Sequence, residues 1–288
     1  TPLYSSAASD VYKRQVMVNL GNDEIVKYPF LTEAGKYLND KGFSLEQFGS
    51  DPDLKKIVDN AFERIITSSE GRIFKSDPSS NNSALPLEIF SFLIAVILLK
   101  LSGMNTLIRR FSLAEARRAE KFLEKDLMNH QDATKAKLSL QILQELFSVT
   151  VEKTDEEFTI LISDYLKHSI NFHEREWKLI NRKVSKGKVH LTPHETVRLV
   201  RKELDRHIYT KINSSSTPQM IIGFETYVDK LKQLAKKFEV KTVESKEFPP
   251  CIKHAIEVLE KGENLPHSGR FLLATFLLNK GQTVEQIA

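Results

Sequence analysis

A mainly α-helical chain with a small α+β piece inserted in its second half is what this sequence predicts, and three observations carry the prediction. Apolar residues recur at intervals of three and four between Leu54 and Leu146. The interval falls to two between Phe147 and Thr192, then returns to three and four beyond Pro193. A period near 3.6 lines up one stripe of a helix, whereas a period of two lines up one face of a strand.

The elements follow in order. Asp51-Pro52-Asp53 opens a helix, with Asp51 as its cap, Pro52 in its first turn, and Leu54, Ile57, Val58, Ala61, Phe62 and Ile65 as its apolar stripe. Ser76 to Ser83 is polar and turn-rich, a loop. A strongly apolar helix near Leu85 to Leu101 comes next, then one carrying Leu113, Ala116, Ala119 and Leu123, then one with Leu138, Ile142, Leu143 and Leu146. Phe147, Val149 and Val151 alternate with polar neighbours, Phe158 to Ile162 is a strand-like run, and Lys178 to Thr192 reads as two strands around Lys186-Gly187. Thr192-Pro193-His194-Glu195 is a capping box that starts the helix of Val197, Leu199, Val200 and Leu204. After Ser214-Ser215-Ser216, a helix with Met220, Phe224, Tyr227, Leu231 and Leu234 is expected to pack back on the helical layer. Pro249-Pro250 then opens a helix over Cys251 to Glu260, with Ile252, Ala255, Ile256 and Leu259 apolar and Gly262 at its end. The domains expected are 17–146, helical; 147–212, a small α+β subdomain; 213–238, the returning helix; 239–248, a linker; and 249–288, a second helical unit.

Composition bounds the class. With 288 residues, 41% hydrophobic and 28% charged, the chain is an ordinary globular protein, and disorder throughout is excluded. Its single cysteine allows no internal disulfide and cannot alone fill a four-cysteine metal site. Residues 1–15, TPLYSSAASDVYKRQ, precede Met17 and lack the apolar core of a signal peptide; they are read as a non-native leader and set aside. Leu87 to Leu101, bracketed by Glu88 and Lys100, is shorter than the roughly 20 residues that cross a bilayer, so no membrane segment is expected.

Charge is unevenly spread. The net charge is +4, yet Lys167 to Lys211 holds twelve Lys/Arg against five Asp/Glu. Such a basic segment is the electrostatic footprint of a nucleic-acid partner, or else a solvated face. Phe111, Tyr165, Phe172, Trp177 and Tyr209 are interspersed with or near these cations, and core packing is the reading preferred over base stacking.

Catalytic chemistry finds little footing. Asp51-x-Asp53 has the spelling of a metal-binding pair, but the proline between the acids at a helix start marks a cap. Asp155-Glu156-Glu157 is an acidic turn. There is no phosphate loop, no Gly-x-Gly-x-x-Gly after a strand and no His-Glu-x-x-His helix. Five of the eight histidines lie between His168 and His207, with His190 and His194 straddling a strand end and a cap rather than sharing a helix face. A Cys251–His254 pairing lacks a supporting third group. No catalytic site is expected within the chain. By itself, Cys251 reads as a small buried hydrophobe.

Pro249-Pro250-Cys251-Ile252-Lys253-His254, then Glu263-Asn264-Leu265-Pro266-His267-Ser268-Gly269-Arg270-Phe271, then Phe276-Leu277-Leu278-Asn279-Lys280-Gly281, resembles the opening of the iron-sulfur domain of archaeal and eukaryotic DNA primase large subunits. Lys27-Tyr28-Pro29-Phe30-Leu31, Arg109-Arg110-Phe111 through Ala114-Glu115-Ala116, Asp164-Tyr165-Leu166-Lys167, Trp177 to Arg182 and Gly187 to Glu195 resemble successive parts of the same family's amino-terminal domain. The likeness runs in order from Met17 onward.

The resemblance implies a non-catalytic large subunit, truncated within its iron-sulfur domain, that assists RNA primer synthesis in archaeal DNA replication. Its implied partners are the small catalytic subunit, single-stranded template, RNA–DNA hybrid and a nucleoside triphosphate, in the cytoplasm. Cys251 would be one of four 4Fe-4S ligands, the others lying beyond Ala288, so that the cluster is not expected to assemble in this fragment. His267 and Arg270 would hold template and initiating nucleotide, with Lys253 and His254 as weaker candidates. The alternative is a helical protein-binding adaptor without nucleic-acid function.

Overall fold

Asp51 caps a helix as its spacing requires: its carboxylate accepts the Asp53 amide at 2.8 Å, and Pro52 begins α3 (Pro52–Ser69). The computed structural model describes residues 22–31, 45–75, 85–128, 133–147, 149–153, 157–170, 172–214, 217–238, 248–260, 264–282 and 284–287. The leader (1–15), the loop at 76–83, Asp155-Glu156, Gly262 and residues 239–247 of the linker lie outside the described residues. Before α3 come α1 (Asn22–Lys27) and α2 (Leu45–Ser50); after it come α4 (Leu85–Ser102), α5 (Asn105–Met128) and α6 (Ala133–Phe147). Helix α4 is apolar on every side because α1, α3 and a later helix, α9 (Glu225–Lys236), all pack on it. No helix among the described residues is long and apolar enough to cross a membrane.

Four short strands make one antiparallel sheet: β1 (Val151–Lys153), β2 (Phe158–Leu161), β3 (Val184–Ser185) and β4 (Lys188–Leu191), in the order β1-β2-β4-β3. Ile160 lies opposite both Val151 and Val189, and Val189 opposite Val184, so one face carries a row of β-branched residues. Lys186 and Gly187, with φ of 49° and 74°, form the two-residue turn between β3 and β4 that matches strand twist. Helix α7 (Ile162–Ser169) follows β2, and α8 (Pro193–Ser214) follows β4. Thr192 Oγ1 accepts the Glu195 amide at 3.2 Å while Glu195 accepts the Thr192 amide at 2.8 Å, the capping box the sequence spells.

The expected strands start and stop elsewhere. Phe147 is the last residue of α6, not the first of a strand, and the Val149 amide still reaches back to the Leu143 carbonyl. Two buried residues at an interval of two mimic alternation where a helix unwinds. Ile162 begins α7, and Leu179–Asn181 is a 3₁₀ turn, which shortens the first strand of the Lys178–Thr192 hairpin to Val184–Ser185. Phe224 is buried just ahead of α9, and Met220 is exposed.

One continuous core runs from Tyr28 to Ala235 and includes both the helical layer and the sheet. Inside it sits an ionic group that the apolar pattern does not announce. Arg64, fully buried, grips Glu115 with two hydrogen bonds of 2.7 Å; Arg118 lies 3.8 Å from Glu88 and 4.0 Å from Glu115. The 27–31 motif is tied down in the same way. Lys27 and the Tyr28 hydroxyl both bond Asp126, and Lys211 donates to the Phe30 carbonyl at 2.6 Å.

Candidate nucleic-acid interface

Pro250 starts α10 (Pro250–Glu260), and Pro266 precedes α11 (His267–Asn279), which α12 (Val284–Ile287) follows. Both prolines sit where a missing N–H costs nothing, and the Pro249 and Pro266 carbonyls accept the first amides of α10 and α11, from Lys253 at 3.1 Å and Arg270 at 3.0 Å. Phe248, Ile252, Ala255, Leu265, Leu273 and Leu277 close a small core of their own, with the Phe248 and Phe276 rings edge-to-face at 5.1 Å. Leu259, expected on the apolar stripe, is exposed instead.

This packing turns the chemically active side chains outward. Cys251 is an exposed free thiol in the first turn of α10, which removes the buried-hydrophobe reading of it. His254, His267 and Arg270 are exposed and Lys253 half-buried. Arg270 offers a planar fork of donors, and its neighbour Phe271 shows 69% of its surface. An exposed aromatic ring offers a face on which a nucleobase can stack. The sequence reading passed over Phe271, although its place directly after His-x-x-Arg was the available signal.

Among the described residues no three His, Cys, Asp or Glu side chains come together as metal ligands. A four-iron cluster takes four thiolates, and the chain offers one, so its residues do not by themselves fit that group.

The 167–211 segment is less cationic in space than in sequence. Arg182 pairs with Glu195 at 2.7 Å, Lys183 with Glu157 at 2.8 Å, Arg198 with Glu174 at 3.3 Å, Arg201 with Glu120 at 3.6 Å, and Lys188 with Glu152. Three of those carboxylates lie outside the segment. Of the aromatic residues in and near it, Tyr165, Trp177 and Phe111 are buried and Phe172 is half-buried: the Tyr165 hydroxyl donates to the Trp177 carbonyl at 2.9 Å, and Phe172 stacks on Trp177 at 4.2 Å. Tyr209 is half-buried, with Arg109 over its ring at 5.4 Å.

Three of the five histidines between His168 and His207 bond carboxylates: His168 with Glu203, His194 with Glu124, and His190 with Glu157, its other nitrogen meeting Ser185. Burial, with Lys211 nearby, pushes His207 down to about 4. Ser185, His190 and Glu157 stand in the order of a hydrolytic relay, but Lys183 neutralises the carboxylate and Ser185 is exposed on an edge strand. Asp51 and Asp53 serve the α3 cap.

Residues 241–288 match the family model for the carboxy-terminal domain of the eukaryotic and archaeal DNA primase large subunit. Over nearly its whole length the chain is similar to proteins called DNA primase large subunit PriL. It is 31% identical to that of Methanosarcina acetivorans over 92% of this chain and 71% of the relative. The identity to the Methanococcoides burtonii protein is 31% over 93% and 75%, and to the Halobacterium salinarum protein 26% over 92% and 76%.

Proposed function

This chain belongs to the family of eukaryotic and archaeal DNA primase large subunits, and from that membership we propose that it acts as the non-catalytic subunit assisting RNA primer synthesis on single-stranded DNA. In this reading residues 17 to about 238 bind the small catalytic subunit. The α10–α11 pair meets template, RNA–DNA hybrid and initiating nucleoside triphosphate, with His267 and Arg270 as principal contacts and Lys253 and His254 as lesser ones. With three further thiolates, Cys251 would complete a four-iron site that would tie the helices around it together. The setting proposed is the archaeal cytoplasm.

The observation that carries the reading is the outward presentation of Cys251, His254, His267 and Arg270 on two helices whose core is closed by other residues. A guanidinium grips phosphate oxygens in pairs, and an imidazole three residues earlier adds a second donor. A helical adaptor has no use for that arrangement, and the similarity to primase large subunits does not favour it.

The test pairs the native-length subunit with its matched small subunit. Arg270→Ala is expected to lower formation of the first dinucleotide about ten- to a hundredfold, the worth of one charged hydrogen-bonded contact, and to spare extension of a preformed primer. Equal losses in both steps would assign Arg270 to the fold. Failure of residues 17–238 to co-purify with the small subunit, where the native-length protein does, would overturn the partner assignment.

A further inference from the structure

Helices α5 and α8 lie side by side and antiparallel, as the Arg109–Tyr209, Glu120–Arg201 and Glu124–His194 contacts show in succession. Their seam gathers cations from two distant parts of the sequence. Arg109, Arg117 and Lys121 stand on α5, and Arg201, Lys202 and Arg206 on α8; Lys121, Lys202 and Arg206 are exposed and the other three half-buried. At a rise of about 1.5 Å per residue, Arg109 to Lys121 spans about 18 Å along the seam. Arg109, Arg117, Arg201 and Lys202 all act on one half-buried carboxylate, Asp205. Burial raises that group to about 6 against their combined pull. Glu120 and Glu124 are the other acids of the seam, so its six cations face three carboxylates and positive charge remains in excess.

We propose that the α5–α8 seam is a sequence-independent contact for the sugar–phosphate backbone of nucleic acid, separate from the α10–α11 pair. The proposal rests on the primase large-subunit reading and adds a second surface to it. Two features favour a polyphosphate over a protein. Among the described residues, the only exposed large apolar side chain on either helix is Met128, at the end of α5, so a protein partner would find little to desolvate. A row of cations, by contrast, is all that backbone binding needs, because the gain comes from displaced counterions.

The experiment measures binding of this chain to a fluorescein-labelled oligothymidine and to an RNA–DNA hybrid across a salt titration. Lys121→Ala with Lys202→Ala removes two exposed charges without opening the core. On the single strand this pair is expected to weaken binding about tenfold and to flatten the log K against log salt slope by about 1.4, roughly 0.7 per lost phosphate contact. Lys55→Ala with Lys56→Ala, exposed on α3, is the control and is expected to change neither. Equal effects of the two pairs, or no measurable binding by the unaltered chain, overturn the proposal. Competition by polyglutamate as effective as by oligothymidine of equal charge also overturns it, in favour of an acidic protein partner. Loss on the hybrid alone, or on the single strand alone, supports it and says which strand the seam holds. Co-purification with the small subunit is scored on the same variants: retained co-purification with unchanged DNA binding refutes the seam and leaves the large-subunit reading standing.

Discussion

Replacing Arg64 by Met tests the ionic group buried beneath α3, α4 and α5. Arg64 donates to both oxygens of Glu115 at 2.7 Å, to the Ser91 hydroxyl at 3.3 Å and to the Glu88 carbonyl at 3.4 Å, with its guanidinium 5.3 Å from the Phe92 ring. Burial pushes the Glu115 carboxyl up, yet Arg64 first and Arg118 next hold it below its ordinary value. Methionine fills much of the volume but leaves that carboxylate, among the described residues, with only Arg118, 4.0 Å away, as an ion-pair partner. Stranding a buried charge costs about 3–5 kcal/mol. With a urea slope of about 2–3 kcal/mol per molar, the unfolding midpoint is expected to fall by about 1–2 M. The double variant Arg64→Met/Glu115→Leu leaves Arg118 and Glu88, 3.8 Å apart, as a neutral pair, and should lose less than Arg64→Met alone. A loss below about 1 kcal/mol for Arg64→Met, or a double variant at the sum of the two single ones, would refute the reasoning.

Gly223 has φ of 92°, and a Cβ there would lie 2.4 Å from the Gly49 carbonyl oxygen, whereas Gly71, at φ 75°, faces open space. Gly71→Ala is expected to cost about 1–2 kcal/mol of backbone strain, and Gly223→Ala about 1–3 kcal/mol more from the clash; equal urea midpoints for the two would contradict this. Burial opposes ionisation of Glu195, but the hydrogen bonds from Arg182 and Thr192 outweigh it and hold the carboxyl at about 2. A carboxyl depressed in the folded state stabilises above its unfolded value near 4.5 and loses that contribution as the pH falls toward 2. Glu195→Gln should therefore melt lower than the parent at neutral pH, with the gap closing between pH 4.5 and 2; a gap that stays constant in thermal melts would show that Glu195 acts through shape alone.

The helical reading survived because its evidence is local. Asp51, Pro52 and Asp53 settle the start of α3 within three residues, and Thr192 with Glu195 settles the start of α8 within four. The strand boundaries were misread at Phe147, Ile162 and Leu179 because a buried residue at a helix end or in a 3₁₀ turn has the same spacing as one in a strand. At the candidate interface, the residues themselves were legible as a linear motif. The outward placement of Cys251, against the usual burial of free cysteine, and the exposure of Phe271 were not.

By itself, then, the sequence determined the helix periods, the caps, the inserted sheet and the motif that relates 249–281 to its family. Only the tertiary structure decided where the charges go. Arg64 meets Glu115 across 51 residues and Lys27 meets Asp126 across 99, so neither pairing leaves a mark within any window of local sequence. Five of the twelve cations in the basic run at 167–211 pair with Glu120, Glu152, Glu157, Glu174 and Glu195, while Lys202 and Arg206 of that run join the α5 cations in a row where α5 lies along α8. Backbone hydrogen bonds and caps act over a few residues, which makes elements readable from the chain, whereas Coulomb interactions and burial depend on distance in space, which the chain acquires only when its helices pack.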